Sequence, residues 1–254
     1  MNTMKKMLMI AGITAFMVSA ANAEYFKGRW VNGQGLFNFP NGDQYIGMMK
    51  DDKFFGKGTF IFADGRKYVG DFVDSKFHGQ GIMYYIDGSR YEGEFQNGRF
   101  EGQGIMIFSN GRQYAGEFRD NQFHGQGELV CPDGRIYKGQ FAFGLPSGFG
   151  VCRYPTGKHY EGHFQNNLYH GQGFLRYPDG HTYTGNFVNG KPDGQGVMNY
   201  PDGKRFEGQF RNGKTVIGRM FMPDNTAYAG RFDGDMFEGT QEGGIPEDLP
   251  SEHK

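Results

Sequence analysis

One spacing governs this sequence. A Tyr recurs every 23 residues, at Tyr45, Tyr68, Tyr91, Tyr114, Tyr137, Tyr160 and Tyr183, and Phe206 takes the next place. Two residues after each stands a Gly, from Gly47, Gly70 and Gly93 through to Gly208. Four after stands an apolar side chain: Met49, then Phe72, Phe95, Phe118, Phe141, Phe164, Phe187 and Phe210. A Gly-x-Gly pair lies eleven and thirteen residues on, as in Gly79/Gly81, Gly125/Gly127 and Gly171/Gly173. Most units close on Asp-Gly or Asn-Gly, such as Asp64-Gly65, Asn110-Gly111 and Asp179-Gly180. A fixed period of this length marks a repeat architecture, in which no unit buries its apolar side alone and each does so against its neighbours.

The unit is a pair of strands, not helices. Gly supplies 44 of 254 residues and aromatics 17%. Each Gly inside a helix costs about 1 kcal/mol, whereas aromatics favour strands and Asp-Gly or Asn-Gly between alternating segments signals a hairpin. The expected fold is all-β: an elongated single-layer antiparallel meander of nine to ten hairpins, about eighteen strands.

Side chains alternate across a strand. Tyr, Gly and Phe of the first strand therefore share a face, and so do offsets 15 and 17 of the second. Offset 15 holds Phe60, Met83, Met106, Leu129, Cys152, Leu175 and Met198; offset 17 holds Phe62, Tyr85, Phe108, Cys131, Tyr154, Tyr177 and Tyr200. One continuous aromatic face is expected, represented by Tyr68, Phe72, Tyr91, Phe95, Tyr114 and Phe118, with the glycine between Tyr and Phe leaving room for a neighbouring ring. The opposite face is apolar only in the early units. Ile82, Tyr84, Ile105 and Ile107 form a candidate interaction patch there; the bland alternative is that the sheet curls or a terminal segment covers it.

The ends differ from the array. Lys5 and Lys6, the apolar run Met7 to Val18 and Ala21-Asn22-Ala23 make the three parts of a signal peptide over 1–23. The run falls short of the ~20 residues that span a bilayer. The mature chain is expected to be exported, periplasmic or secreted, without a transmembrane segment. Residues 24–44 are a degenerate N-terminal repeat in which Phe26, Gly28 and Trp30 match the opening of the unit. The array covers 45–227, a degenerate cap 228–241, and a polar tail expected to be disordered 242–254.

The units resemble a known family. Tyr91-Glu92-Gly93-Glu94-Phe95-Gln96-Asn97-Gly98 and Tyr160-Glu161-Gly162-His163-Phe164 resemble the opening of MORN repeats, and the His-Gly-Gln-Gly stretches at His78, His124 and His170 resemble their middle. The likeness covers Tyr45 to Tyr228. It implies an assembly or membrane-associated module of the kind often joined to a separate catalytic domain, and family members have been linked to phospholipids.

Several tempting motifs fail on physical grounds. Gly208-Gln209-Phe210-Arg211-Asn212-Gly213-Lys214-Thr215 matches the P-loop letters, but a P-loop needs a following helix and Gly218 and Pro223 follow instead. His78, His124 and His170 lie 46 residues apart, or four strands, roughly 19 Å, too far to share an ion, and read as structural turn residues. One Asp per hairpin, ~9.6 Å from the next, cannot close a calcium shell. Cys131 and Cys152, with one strand between them, are expected as separate, largely buried thiols. No catalytic, metal or cofactor residues are assigned, and the chain reads as non-enzymatic.

Composition narrows the partners. The net charge is −1, and −3 without the two signal-region lysines, a poor match for nucleic acid. The leading expectation is a scaffold that binds a protein partner or a second copy. The alternative is a lipid headgroup or a glycan on the aromatic face, weakened for lipid by the absence of a basic cluster.

Overall fold

The computed structural model describes residues 33–233 and 236–242. The expected signal peptide, Phe26, Gly28 and Trp30 of the first repeat, and residues 243–254 of the expected tail lie outside the described residues. Glu242, assigned to that tail from the sequence, instead closes the last strand.

The described residues are all-β, with nineteen strands and no helix. The chain divides into two compact units: residues up to Pro132 with Gln140–Leu145, and Asp133–Gly139 with the residues from Pro146 on. The first holds Gly33–Asn38 (β1), Gln44–Lys50 (β2), Lys53–Ile61 (β3), Lys67–Val73 (β4), Lys76–Tyr84 (β5), Arg90–Gln96 (β6), Arg99–Ile107 (β7), Gln113–Arg119 (β8) and Gln122–Val130 (β9). Ile136–Ala142 (β10) supplies residues to both units. The second holds Leu145–Arg153 (β11), Pro146 onward, then His159–Gln165 (β12), Leu168–Arg176 (β13), Thr182–Val188 (β14), Lys191–Asn199 (β15), Arg205–Arg211 (β16), Lys214–Phe221 (β17), Ala227–Asp233 (β18) and Met236–Glu242 (β19). Within each unit every strand pairs antiparallel with the next in the chain. This is the expected meander of MORN-type hairpins.

The hairpin β6–β7 shows why this sequence folds so. Short and long strands alternate, seven residues in β6 and nine in β7. The surplus forms a bulge: Gly93 pairs with Gly104, but Phe95 pairs with Phe100. Gly102 absorbs the bulge at φ +64°, a left-handed conformation that most L residues resist. Glu94 Oε1 accepts the Gln103 N–H at 2.9 Å and ties the bulge down. Glu117 does the same for Gln126 in the next hairpin, at 2.8 Å. The acids three residues after the repeat Tyr, Asp71, Glu94 and Glu117, are half-buried in this role.

The second glycine of each Gly-x-Gly has a different duty. The Tyr91 ring lies across the Gly93–Gly104 pair, and a Cβ on Gly104 would meet that ring at 2.6 Å. The room left by glycine thus serves the hairpin's own Tyr, not the neighbouring ring expected from the sequence. Tyr91 Oη then donates to the carbonyl of Glu94 at 2.8 Å. Tyr68, Tyr114, Tyr160 and Tyr183 repeat this bond to Asp71, Glu117, His163 and Asn186.

The turns are of two kinds. The two-residue turns join the short strand to the long one, and both central residues sit at positive φ, as at Asn97 (52°) and Gly98 (82°), the requirement of a type I′ turn. The Asp-Gly and Asn-Gly pairs that close the units, such as Asp64-Gly65 and Asn110-Gly111, occupy three-residue loops between units. There Gly111 is at φ +84° and Asn110 Oδ1 accepts the Arg112 N–H at 3.0 Å. Side-chain oxygens of these loops are spent on their own backbone, at Asp64, Asp87, Asp133 and Asp202 as well.

Candidate interaction surface

The aromatic face packs itself shut. Tyr91 stacks on Phe100 with ring centroids 3.7 Å apart and planes 15° apart. It meets Phe95 of its own strand edge-on at 5.1 Å and Phe118 of the next unit at 4.8 Å. The same three contacts surround Tyr68, Tyr114 and Tyr160, with stacked partners Phe77, Phe123 and Tyr169; Tyr45 stacks on Phe54 and meets Phe72 of the next unit, but Met49 replaces the ring of its own strand. The stacked partners stand nine residues after each Tyr. The sequence carried this signal, since offset nine is aromatic in five units, but Pro146, Pro192 and Thr215 interrupt it.

The consequence for binding is direct. Tyr68, Tyr91 and Tyr114 are 0% exposed, Phe72 1%, and Phe95 and Phe118 3%. A sugar ring or lipid headgroup cannot stack on rings that have no open side. The named aromatic residues are core, and this corrects their reading as a ligand surface. Offset 15 joins them, with Phe60, Met83, Cys152, Leu175 and Met198 buried, while offset 17 stays half-buried. Cations lie along that margin: Arg112 sits 4.0 Å over Phe108, and Arg66 4.4 Å over Phe62 while paired with Asp64. Burial raises the tyrosine pKa values, Tyr45 to about 12, the nearby Phe55 backbone offsetting part of the effect.

The opposite face is open. Ile105 is 46% exposed, and Ile82, Tyr84 and Ile107 are half-buried. The four fall in two rows, not one patch. Ile82 and Ile105 both pair with Glu92, which stands between them. Tyr84 and Ile107 flank Arg90 in the same way, and Lys67 Nζ lies 4.7 Å over the Tyr84 ring. The Ile82 row continues toward β1 through residues the sequence reading missed. Leu36 pairs with Ile46, Ile46 with Thr59, Thr59 with Val69, and Val69 with Ile82. Leu36 is 59% exposed, Ile46 42% and Val69 38%. Alternation from the repeat Tyr would have found them, since they hold offsets one and fourteen.

A shallow open cavity of about 500 Å³ runs over this row. Ile46, Thr59, Val69 and Ile82 form its apolar floor; Gln34, Lys57, Gln80 and Glu92 supply its polar lining. Beneath lie the backbones of Gly47, Gly58, Gly70 and Gly81, which present no side chain on either face. Lys57 is held by Asp71 at 2.8 Å. An apolar floor with a polar border is what a protein side chain or peptide segment fits.

The other candidate residues have structural settings. Gly208 to Thr215 crosses the hairpin β16–β17, with Asn212 and Gly213 at φ +51° and +87° in its turn, so the P-loop letters carry no phosphate cradle. His78, His124 and His170 are strand residues just before the bulge glycine, not turn residues. Cys152 is buried in β11 and Cys131, just after β9, is half-buried; neither is in a disulfide. Among the described residues no group of His, Cys, Asp and Glu is arranged to hold a metal ion.

No curated protein matches the chain in sequence. Among solved structures, the wild-type TCP10 domain of Danio rerio CPAP aligns at 15% identity and TM-score 0.44, covering 81% of this chain and 99% of that one. The G-box domain of the microcephaly protein CPAP aligns at 18% and 0.38, covering 84% and 99%. The TCP domain of Drosophila melanogaster SAS-4, solved in complex with a proline-rich motif of Ana2, aligns at 14% and 0.35, covering 72% and 87%. The family model described as MORN repeat, a non-catalytic module, matches nine consecutive segments: 26–44, 45–65, 68–90, 91–111, 114–134, 137–159, 160–182, 183–205 and 206–226. With its glycine pairs, stacked tyrosines and hairpin period, the chain belongs to the MORN repeat family.

Proposed function

We propose that this chain is a non-catalytic scaffold of the extracytoplasmic space that docks protein through the open face of its first unit. One observation carries the reading. The two faces of the same sheet are treated oppositely: Tyr68, Phe72, Tyr91, Phe95, Tyr114 and Phe118 on one are buried to 0–3% exposure, while Leu36, Ile46, Val69 and Ile105 on the other remain 38–59% exposed beside an apolar cavity. Side chains of this kind cost free energy in water, about 25 cal/mol per Å² of apolar area, and a protein surface covering them recovers it. Export rests on the lysine pair, apolar run and Ala-Asn-Ala motif of residues 1–23.

The test is a double variant, Ile82→Glu with Ile105→Glu, on positions whose side chains leave the aromatic core untouched. Affinity capture from an envelope fraction should lose its specific partner, or the chain its self-association, with the unfolding midpoint nearly unchanged. A variant that retains both would sink the proposal. Retention of the uncleaved chain in the cytoplasm alone would sink the localisation.

A further inference from the structure

The sixth residue after each repeat Tyr, or its equivalent, occupies the two-residue turn in a left-handed conformation. Asp51, Asp74, Asn97, Asp120, Asn166, Asn189 and Asn212 hold this place, all with φ between 49° and 52°. Asp and Asn tolerate it because their short polar side chains bond locally. The fifth hairpin breaks the pattern: Phe143 stands there at φ 52°. It is also 82% exposed, more than any other large apolar residue described. A bulky ring is thus held both in a strained backbone and in water. Where a sequence breaks two local rules at one residue, function is the usual reason.

Phe143 projects from its turn, whose Gly144 N–H is tied to the Phe123 carbonyl at 3.1 Å. Its ring needs an apolar hole open to solvent, and this chain carries one: the cavity floored by Ile46, Val69 and Ile82. At 82% exposure Phe143 does not fill that cavity in its own chain. Around knob and groove the nearby charges are already matched within the chain: Asp120, one hairpin before Phe143, pairs with Arg99, and Lys57 on the cavity border pairs with Asp71, so neither surface presents an unpaired charge of this kind to the other.

We propose that the Phe143 turn of one copy seats in the Ile46–Val69–Ile82 groove of a second copy. This names the occupant of the docking face and rests on that reading. Knob and groove are different surfaces, so the contact is heterologous and each copy keeps one free knob and one free groove. Assembly therefore runs head to tail, and it is weak and concentration-dependent, because a single aromatic anchor carries it.

The test is sedimentation of the chain and two variants over a range of concentrations. Phe143→Asn removes the knob and installs the residue that Asn97, Asn166 and Asn189 use at this place. It should fold better, with a midpoint raised by about 2–4 °C, so misfolding cannot mimic the result. Val69→Glu blocks the groove. The wild type should grow in mass with concentration, and each variant should weaken association by about tenfold or more. Mixing the two variants should restore only a 1:1 pair, since one brings a groove and the other a knob. If Val69→Glu abolishes association while Phe143→Asn does not, the groove still docks protein but Phe143 is not its occupant. If neither variant changes association, this inference and the docking reading both fail. A wild type that stays monomeric at every concentration overturns self-assembly. Phe143-dependent sedimentation of that monomer with zwitterionic vesicles would assign the ring to lipid instead.

Discussion

Tyr91 and Phe100 stack at 3.7 Å across a β-bulge, nine residues apart in sequence and facing each other over a pair of glycines. That contact is the unit of this fold. It joins the two strands of a hairpin, and Phe118 of the next unit closes it at 4.8 Å. Stability then accrues along the chain from neighbour to neighbour.

Removing one partner should be costly. Phe100→Ala leaves a cavity in a site 3% exposed and should cost about 3–5 kcal/mol in urea unfolding. Tyr91→Phe keeps the stack and loses only the 2.8 Å bond to Glu94, so it should cost about 1 kcal/mol. Equal losses in the two variants would mean that the ring contact is not what holds the hairpin.

Two glycines in one repeat should respond in opposite ways. Gly104→Ala drives a Cβ to 2.6 Å from a Tyr91 ring that is itself clamped on both sides, and should cost about 3 kcal/mol. Gly111→Asn places a tolerant residue at φ +84° with nothing within 4 Å, and should stay within about 0.5 kcal/mol of wild type. Thermal unfolding of both variants would check this. The reverse order would contradict the assignment of the second Gly to ring clearance.

Alkaline pH should unfold the chain. Burial raises Tyr45 to about 12 and moves Tyr68, Tyr91, Tyr114, Tyr160 and Tyr183 upward too, Asp71 and Glu94 reinforcing the effect at Tyr68 and Tyr91. The folded state binds these protons more tightly than the unfolded one, whose tyrosines titrate near about 10. Their contribution is therefore complete below about pH 10 and is lost as pH rises toward 12. Tyrosinate absorbance and loss of β-sheet signal should rise together. Full tyrosine ionisation near pH 10 with the sheet intact would contradict the burial.

Deleting one whole period should be tolerated. Removal of 91–113, 23 residues, brings Tyr114 into the place of Tyr91 and preserves every pairing. The shortened chain should fold cooperatively with a lower midpoint. Removal of 91–102 leaves an unpaired half-hairpin and should disrupt the sheet; far-UV dichroism and urea titration would separate the outcomes.

The strands, their order and the buried set at Tyr, Phe and offset 15 were legible because a 23-residue period and strand alternation act on the same residues. The Tyr–Phe100 type of stack was not, because the bulge changes the pairing between Gly93 and Phe95, and alternation alone cannot foresee a bulge. The turn at the close of most units was legible from its Asp-Gly or Asn-Gly letters, whereas the two-residue turns carry a weaker signal, since they include Asp51-Asp52 and Asn166-Asn167, pairs with no glycine at all. The open face was half-read: Ile82 and Ile105 were found, but Ile46 and Val69, on the short strands, were not, and Glu92 divides what looked continuous.

The central claim is that one side of the sheet is closed by its own rings and the other is left to bind. Hydroxyl-radical footprinting with mass spectrometry reads this residue by residue. The account expects Tyr68, Tyr91 and Tyr114 to stay protected in the dilute native chain while Leu36 and Ile105 are oxidised. Rapid oxidation of those tyrosines, with Leu36 and Ile105 protected, would contradict it.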